Sequence, residues 1–302
     1  MKIIDPHLHL FDLSLGDYSW LQAKNPPYWP DKQLINRNFS IADLHLPAPF
    51  AHAAFVHIEA GFNNSQPWLE IEWLERQCLQ EPVDNTQPLP ATTAKQITPS
   101  MKTIACIDLQ QSTASFAEQI VKLSQYRSIA GFRHILDEHA SELLQNSQVQ
   151  QNLHYLSESG FIFECQLDGA DSAAIEQLCR LLARTPRLKI IINHAAFPSL
   201  DAESFITWQA NMQKLASFSN LYIKASGWEM FNRAYDSHQI ETIVTLLIGY
   251  FSLQRVMLAS NFPLCLFSCS YTQLWQTYWQ LAFSEPQKRA LMYDNARCFY
   301  QF

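Results

Sequence analysis

The sequence predicts an α/β fold: a single (β/α)8 TIM barrel spanning residues 1–302, with a long loop after its first strand. Three observations carry this. Short β-rich runs recur eight times, separated by stretches of helical character. Most runs are apolar throughout rather than alternating, as parallel strands covered by helices must be. No linker and no internal repeat divides the chain. Eight strand–helix units in one chain favour a closed barrel over a doubly wound sheet.

In chain order the predicted strands are Lys2–His9, Ala53–Glu59, Thr103–Asp108, Ile129–His134, Phe161–Gln166, Leu188–His194, Leu221–Ser226 and Arg255–Ser260. Between them, Pro67–Gln80 places Trp68, Ile71, Leu74 and Cys78 on one helical stripe. Ala170–Ala183 and Ser237–Tyr250 behave similarly, the latter with Ser237 as its expected cap. Two stretches break the beat. Asp12–Phe50, rich in Pro, Asn and Trp, is long for a loop, and Glu81–Ser100 reads as a polar, exposed connection. Trp20, Tyr28 and Trp29 in the first of these are candidates for an aromatic lid.

Composition narrows the function. Hydrophobic residues make up 48% of the chain and charged ones 16%, enough apolar surface for a large core and too little charge for a disordered chain. A net charge of −7 argues against nucleic-acid and anionic-membrane partners, leaving a small-molecule substrate. No apolar run is long enough to span a bilayer, and the opening MKIIDPHLHLFD lacks the features of a signal peptide. Seven scattered cysteines, most inside apolar runs, fit reduced thiols in a cytoplasmic protein. Cys265 and Cys269 have no second pair with which to build a zinc ribbon. Glycine is sparse, seven in all, and neither GxGxxG nor GxxxxGK[ST] is present, which removes most nucleotide-binding readings.

Barrel active sites form at the C-terminal strand ends. The polar residues expected there are His7 and His9, Glu59, Arg133 and His134, Gln166, His194, Ser226, and Ser260 with Asn261. Residues two apart in a strand share a face, so Asp5, His7 and His9 are expected to point together. His134, next to Arg133, is expected on the opposite face and packed; His57 and Glu164 are left open to either face.

The segment IDPHLHLFD (4–12) resembles the opening of the amidohydrolase superfamily, in its branch of sugar lactonases and 2-pyrone-4,6-dicarboxylate lactonase-like hydrolases. The resemblance continues through VHIEAG (56–61), GFRHIL (131–136), INHAAFP (192–198), YIKASGW (222–228), ASNFPLC (259–265) and the closing NARCFYQF. It implies that His7, His9 and His194 form the polar floor and, in the metal-bound case, hold one divalent ion, zinc or manganese; the metal-free case stays open. It implies that His194 is a ligand or hydrogen-bonds the attacking water and that Arg133 binds substrate; Glu59, by its place at the end of strand 2, is a second substrate-binding candidate, with a surface or supporting role open. Where the family has a catalytic aspartate in G-S-D-[WF]-P, this chain has Asn261. An amide has no basic oxygen of useful pKa and cannot serve as general base. Ala259, Asn193 and Ala196 are further departures nearby. The expected activity is hydrolysis of a small carboxylated or sugar-derived lactone, with His194 or Glu59 as the substitute base. The alternative is a non-catalytic ligand-binding barrel; Asn261 also weakens a decarboxylase reading.

Overall fold

The computed structural model describes residues 1–78, 99–199 and 201–302. Eight strands pair in parallel in chain order: β1 (Lys2–Leu8), β2 (Ala51–Ile58), β3 (Ser100–Cys106), β4 (Ile129–Ile135), β5 (Ile162–Gln166), β6 (Lys189–Ile192), β7 (Leu221–Ala225) and β8 (Val256–Leu258). Each expected strand is present. The ring closes where β1 meets the chain just beyond β8. Leu8 bridges Phe262 in parallel, the amide of His9 donates to the Phe262 carbonyl (2.6 Å), and that of Asn261 donates to the His7 carbonyl (2.9 Å).

Helices α1 (Trp68–Cys78) and α2 (Thr113–Leu123) follow β2 and β3, and α3 (Ala140–Gln145) and α4 (Ser147–Ser159) follow β4. Next come α5 (Ser172–Arg184), α6 (Ala202–Ala216), the short α7 (Trp228–Phe231), α8 (Ser237–Phe251), α9 (Tyr271–Gln280), α10 (Glu285–Arg289) and α11 (Asn295–Tyr300). The expected stripe of α1 is turned to the core, with Ile71, Leu74 and Cys78 buried. Helix α8 is capped one residue earlier than expected. Asp236, not Ser237, accepts from the Gln239 amide while the Gln239 side chain returns to the Asp236 amide. That closed capping box satisfies two end donors, which a lone serine hydroxyl does not. The first strand–helix unit has no α-helix; three 3-10 turns, Ser19–Leu21, Lys32–Leu34 and Ile41–Leu44, shape its long loop. Most of the expected connection Glu81–Ser100 lies outside the described residues, and its last residue, Ser100, begins β3.

Two apolar layers hold the barrel. Inside the ring, Ile4, Val56, Ile58, Ile104, Ile162, Ile191 and Met257 pack against each other and against Phe299 and Tyr300 of α11. The outer layer, between strands and helices, is larger and includes Trp208, Trp228 and Trp275, all fully buried. The closing segment of the chain is thus part of the barrel interior. Asn295 donates to the carbonyls of Leu253 and Val256 (both 2.7 Å), and the Tyr300 hydroxyl donates to Glu164 Oε1 at 2.5 Å. Tyr300→Phe keeps the ring but leaves this carboxylate one donor short. It is expected to lower stability by about 1–3 kcal/mol, the range for an unmade buried bond to a charged group, as read from the denaturant midpoint.

Candidate active site

The strand order alone does not aim His7 and His9 into the barrel. A bulge in β1 does. Asp5 is level with Phe55 and Leu8 with His57, so three steps on β1 match two on β2. The extra residue flips the side-chain alternation. Ile4 faces the barrel interior, Asp5 faces outward toward Tyr271, and His7 faces inward again. The expectation that Asp5 shares a face with His7 and His9 is therefore corrected. Asp5 instead clamps the closure seam from behind: its Oδ1 accepts from the amides of His7 (3.2 Å) and Ser260 (3.1 Å). Burial pushes its carboxyl up to about 6, against the lowering effect of those bonds.

His7, His9 and His194 come together. Ring centroids lie 5.1 Å apart for His7–His9 and 4.6 Å for His7–His194. All three are buried, and burial together with nearby cations holds each well below the usual imidazole range, so they are neutral at pH 7. His9 Nδ1 donates to the Ile58 carbonyl at 2.8 Å, which leaves Nε2 with its lone pair. His194 Nδ1 is 3.1 Å from Ser226 Oγ.

His194 sits at the start of a left-handed run: His194, Ala195, Ala196 and Phe197 have φ between 50° and 54°. Each non-glycine residue there costs roughly 1–2 kcal/mol, and the surroundings hold it. Trp208 Nε1 donates to the Ala195 carbonyl and the Gly169 amide to that of Ala196, both at 2.8 Å. Gly227, itself at φ 69°, leaves the space: a Cβ there would stand 2.5 Å from His194 Nδ1.

Below the imidazoles lies a buried charge pair. Lys224 on β7 donates to Glu164 Oε1 (2.7 Å) and Oε2 (2.5 Å) and lies 3.4 Å from His7 Nδ1. Asn193 donates to Glu164 Oε2 (2.5 Å), adding to the bond from Tyr300. Glu164 thus faces inward. Burial lowers the Lys224 ammonium to about 8, which leaves it charged at neutral pH. An ammonium has only hydrogens to offer, so His7 Nδ1 must accept, and neutral His7 carries its proton on Nε2. That Nε2 is buried and has no partner.

The consequence for a metal ion is direct. Ligation needs a lone pair, and His7 presents an N–H to the site while Lys224 is charged. Among the described residues no group of three or more His, Cys, Asp or Glu is arranged to hold a metal ion. The set His7, His9 and His194 does not fit one.

Arg133 and Glu59, both singled out from sequence, meet each other. Arg133 Nε donates to Glu59 Oε1 and Nη2 to the Glu59 carbonyl, each at 2.8 Å. Its Nη1 reaches toward Gln166 Oε1 at 3.4 Å. The Glu59 carboxylate is thereby committed to a cation, which disfavours it as a base. His57 turns outward, 2.9 Å from the buried Glu70 of α1, whose Oε1 also accepts from the Ala60 amide (2.9 Å) and so fixes the turn carrying Glu59. His134 points away from Arg133, and its Nδ1 lies 3.0 Å from the Ile107 carbonyl, the packed position expected of it.

The long first loop crosses the strand ends above these groups. Trp20 Nε1 donates to the Ala60 carbonyl (2.7 Å) on one side, and Trp29 packs edge-on against Phe267 on the other. Asp31 pairs with Arg233 at 2.8 Å. Tyr28, 74% exposed, stands outside this cover, which corrects its expected place in the lid. A groove of about 550 Å³ lined by His154, Arg180 and Arg184 lies among outer helices, remote from the imidazoles.

Sequence reasoning missed two residues of the site, Lys224 on β7 and Glu229 on α7. Glu229 is buried, and its Oε1 accepts from Asn261 Nδ2 at 2.6 Å. The Asn261 backbone amide donates to the His7 carbonyl at 2.9 Å. The signal for Glu229 was one position beyond the YIKASGW motif, but nothing in the local sequence ties α7 to the end of β8.

A closed parallel barrel with an imidazole cluster at its C-terminal strand ends defines a (β/α)8 enzyme scaffold. The chain belongs to the amidohydrolase family, a hydrolase family that it matches over residues 4–302. It is similar over its whole length to the uncharacterized protein y4mH of Sinorhizobium fredii, at 27% identity and 99% coverage of that protein. An L-fucono-1,5-lactonase of Burkholderia ambifaria is 22% identical over 84% of this chain and 80% of its own. An amidohydrolase from Burkholderia multivorans, solved with bound zinc, superposes with a TM-score of 0.74 at 18% identity, covering 100% of both chains. No helix among the described residues is long and apolar enough to cross a membrane.

Lys224→Met strips the counter-charge from Glu164 and should cost about 3–5 kcal/mol, the range for an orphaned buried ion. Chemical denaturation of the two proteins side by side measures it.

Proposed function

We propose that this barrel hydrolyses a small, uncharged, sugar-derived lactone to the open hydroxy acid. The observation that carries this reading is the convergence of neutral His7, His9 and His194 with Arg133 in one buried, charge-balanced site. Both strong cations are matched, Lys224 by Glu164 and Arg133 by Glu59. Among the described residues no spare positive charge is left at the site for a substrate carboxylate, whereas hydroxyl groups are served by the remaining donors and acceptors. This favours the sugar-derived arm of the expectation over the carboxylated one. The names of two relatives, L-fucono-1,5-lactonase and L-rhamnono-gamma-lactonase, support the same class.

In this reading His7 Nε2–H, backed by the Lys224 ammonium, donates to the carbonyl oxygen as negative charge builds on it. His194, its Nδ1 tied to Ser226, holds the attacking water. Arg133 Nη1 and Gln166 orient the ring oxygens. The cover formed by Trp20 and Trp29 keeps bulk water out, which strengthens each of these bonds.

Five- and six-membered aldonolactones should be turned over, and dicarboxylated lactones far more slowly; His194→Ala should lose about 100-fold or more in kcat. Turnover of no lactone, or undiminished activity in His194→Ala, would sink the reading. Exhaustive chelation should leave turnover within about threefold. A loss of about tenfold or more, restored by added zinc or manganese, would show that His7 ligates after all.

A further inference from the structure

We infer that Glu229, held beside Asn261, is the general base that accepts the proton of the attacking water. The inference rests on the lactone-hydrolase reading and supplies the group that reading lacks. In the family pattern the carboxylate stands at the end of strand 8; here that position is an amide.

The geometry replaces the missing group from the neighbouring unit. β7 ends at Ala225, Gly227 turns the chain left-handed, and α7 starts at Trp228, which brings Glu229 alongside the end of β8. Asn261 ties the two sides of the site together, its side chain donating to Glu229 Oε1 and its backbone amide to the His7 carbonyl. The second oxygen, Oε2, is buried and has no partner among the described residues. An unpartnered carboxylate oxygen is costly unless something fills the place, and a water or substrate hydroxyl is the natural occupant. His7 Nε2 is another buried atom without a partner at this end of the barrel, as is Asn193 Oδ1. Glu229 Oε2 is an acceptor and His7 Nε2 a donor, the pair needed to take a proton from water and to receive the charge on a carbonyl oxygen.

The surroundings suit the task. Glu229 faces Asn261, Arg233, Tyr235, Cys265, Cys269 and Tyr278. Of these only Arg233 is charged at neutral pH, and its guanidinium is shared with Asp31 and the Glu229 backbone carbonyl. Burial therefore dominates and raises the carboxyl to about 7, against the lowering bonds from its own backbone and Asn261. A base of this strength is half-ionised at working pH, near the optimum for proton transfer.

The chemistry balances without a co-reactant. Water oxygen bonds to the lactone carbonyl carbon while one of its protons passes to Glu229 Oε2. The tetrahedral intermediate then breaks its ring C–O bond, and Glu229 returns the proton to the departing ring oxygen. The product is the hydroxy acid, which ionises in solvent.

Glu229→Gln preserves shape and removes basicity. On the lactone that the wild-type chain turns over best, kcat should fall about 100- to 10,000-fold with KM little changed. The wild-type kcat/KM should rise with pH through about 7 and level off, because the ionised form is the base; Glu229→Gln should lose that limb. Glu229→Gln/Asn261→Asp returns a carboxylate to the strand 8 position and should recover at least about tenfold. Glu229→Asp, with the same charge on a shorter arm, should retain more activity than Glu229→Gln. Thermal melts at pH 8 should show Glu229→Gln no less stable than wild type, since it removes a buried charge. Wild-type turnover with Glu229→Gln within threefold of it, or an unchanged pH limb in that variant, overturns the base assignment alone. A wild-type chain silent on every lactone overturns the function reading and the base assignment with it.

Discussion

The site depends on how the barrel closes. β1 and the chain beyond β8 are joined by a short seam, and the residues that make it are those of the site: His7 accepts from Asn261, and His9 donates to Phe262. Asp5 clamps the seam from outside by accepting from His7 and Ser260. Asp5 faces outward by ordinary alternation from Ile4, and the bulge that follows it turns His7 and His9 inward, so one irregularity lets clamp and imidazoles take opposite faces. With Ile4 inside, regular pleating would have kept His7 and His9 on the outward face with Asp5, pointed at the helices.

Inside the ring, charge is handled by pairing. Glu164 accepts from Lys224, Asn193 and Tyr300, and Arg133 encloses Glu59. A buried ion pair of this kind is weak evidence for stability but strongly constrains conformation when every hydrogen is placed. Here its consequence is chemical. Lys224 fixes the proton of His7 on the nitrogen that faces the site, converting a potential ligand into a hydrogen-bond donor. In the proposed reading the same three histidines that suggest a metal form a polar floor instead, and the zinc seen in a structural neighbour does not transfer to this donor set.

Strain and missing partners gather at the same end of the barrel. Four consecutive left-handed residues begin at His194, and both His7 Nε2 and Glu229 Oε2 lie buried without partners. Each feature costs stability. Such costs persist where function needs a group held ready, which is the ground for reading this end as a working site rather than a vestige of one.

Much of this was legible in the sequence. Eight apolar runs mark eight strands because parallel strands are buried on both faces, and the barrel follows from their number and spacing. His7, His9, Arg133, His194 and Asn261 were identifiable because each ends a strand. What the sequence did not carry was direction and pairing. Parity counted along β1 misplaces Asp5, since a bulge leaves no local signature. The partnership of Arg133 with Glu59 spans 74 residues, that of Lys224 with His7 spans 217, and that of Asn261 with Glu229 spans 32. The sequence by itself determined the barrel, the end at which its chemistry lies and the loss of the strand 8 acid. Only the tertiary structure decided which nitrogen of His7 bears the proton and where the replacement carboxylate stands, because both are set by side chains that meet across a closed ring.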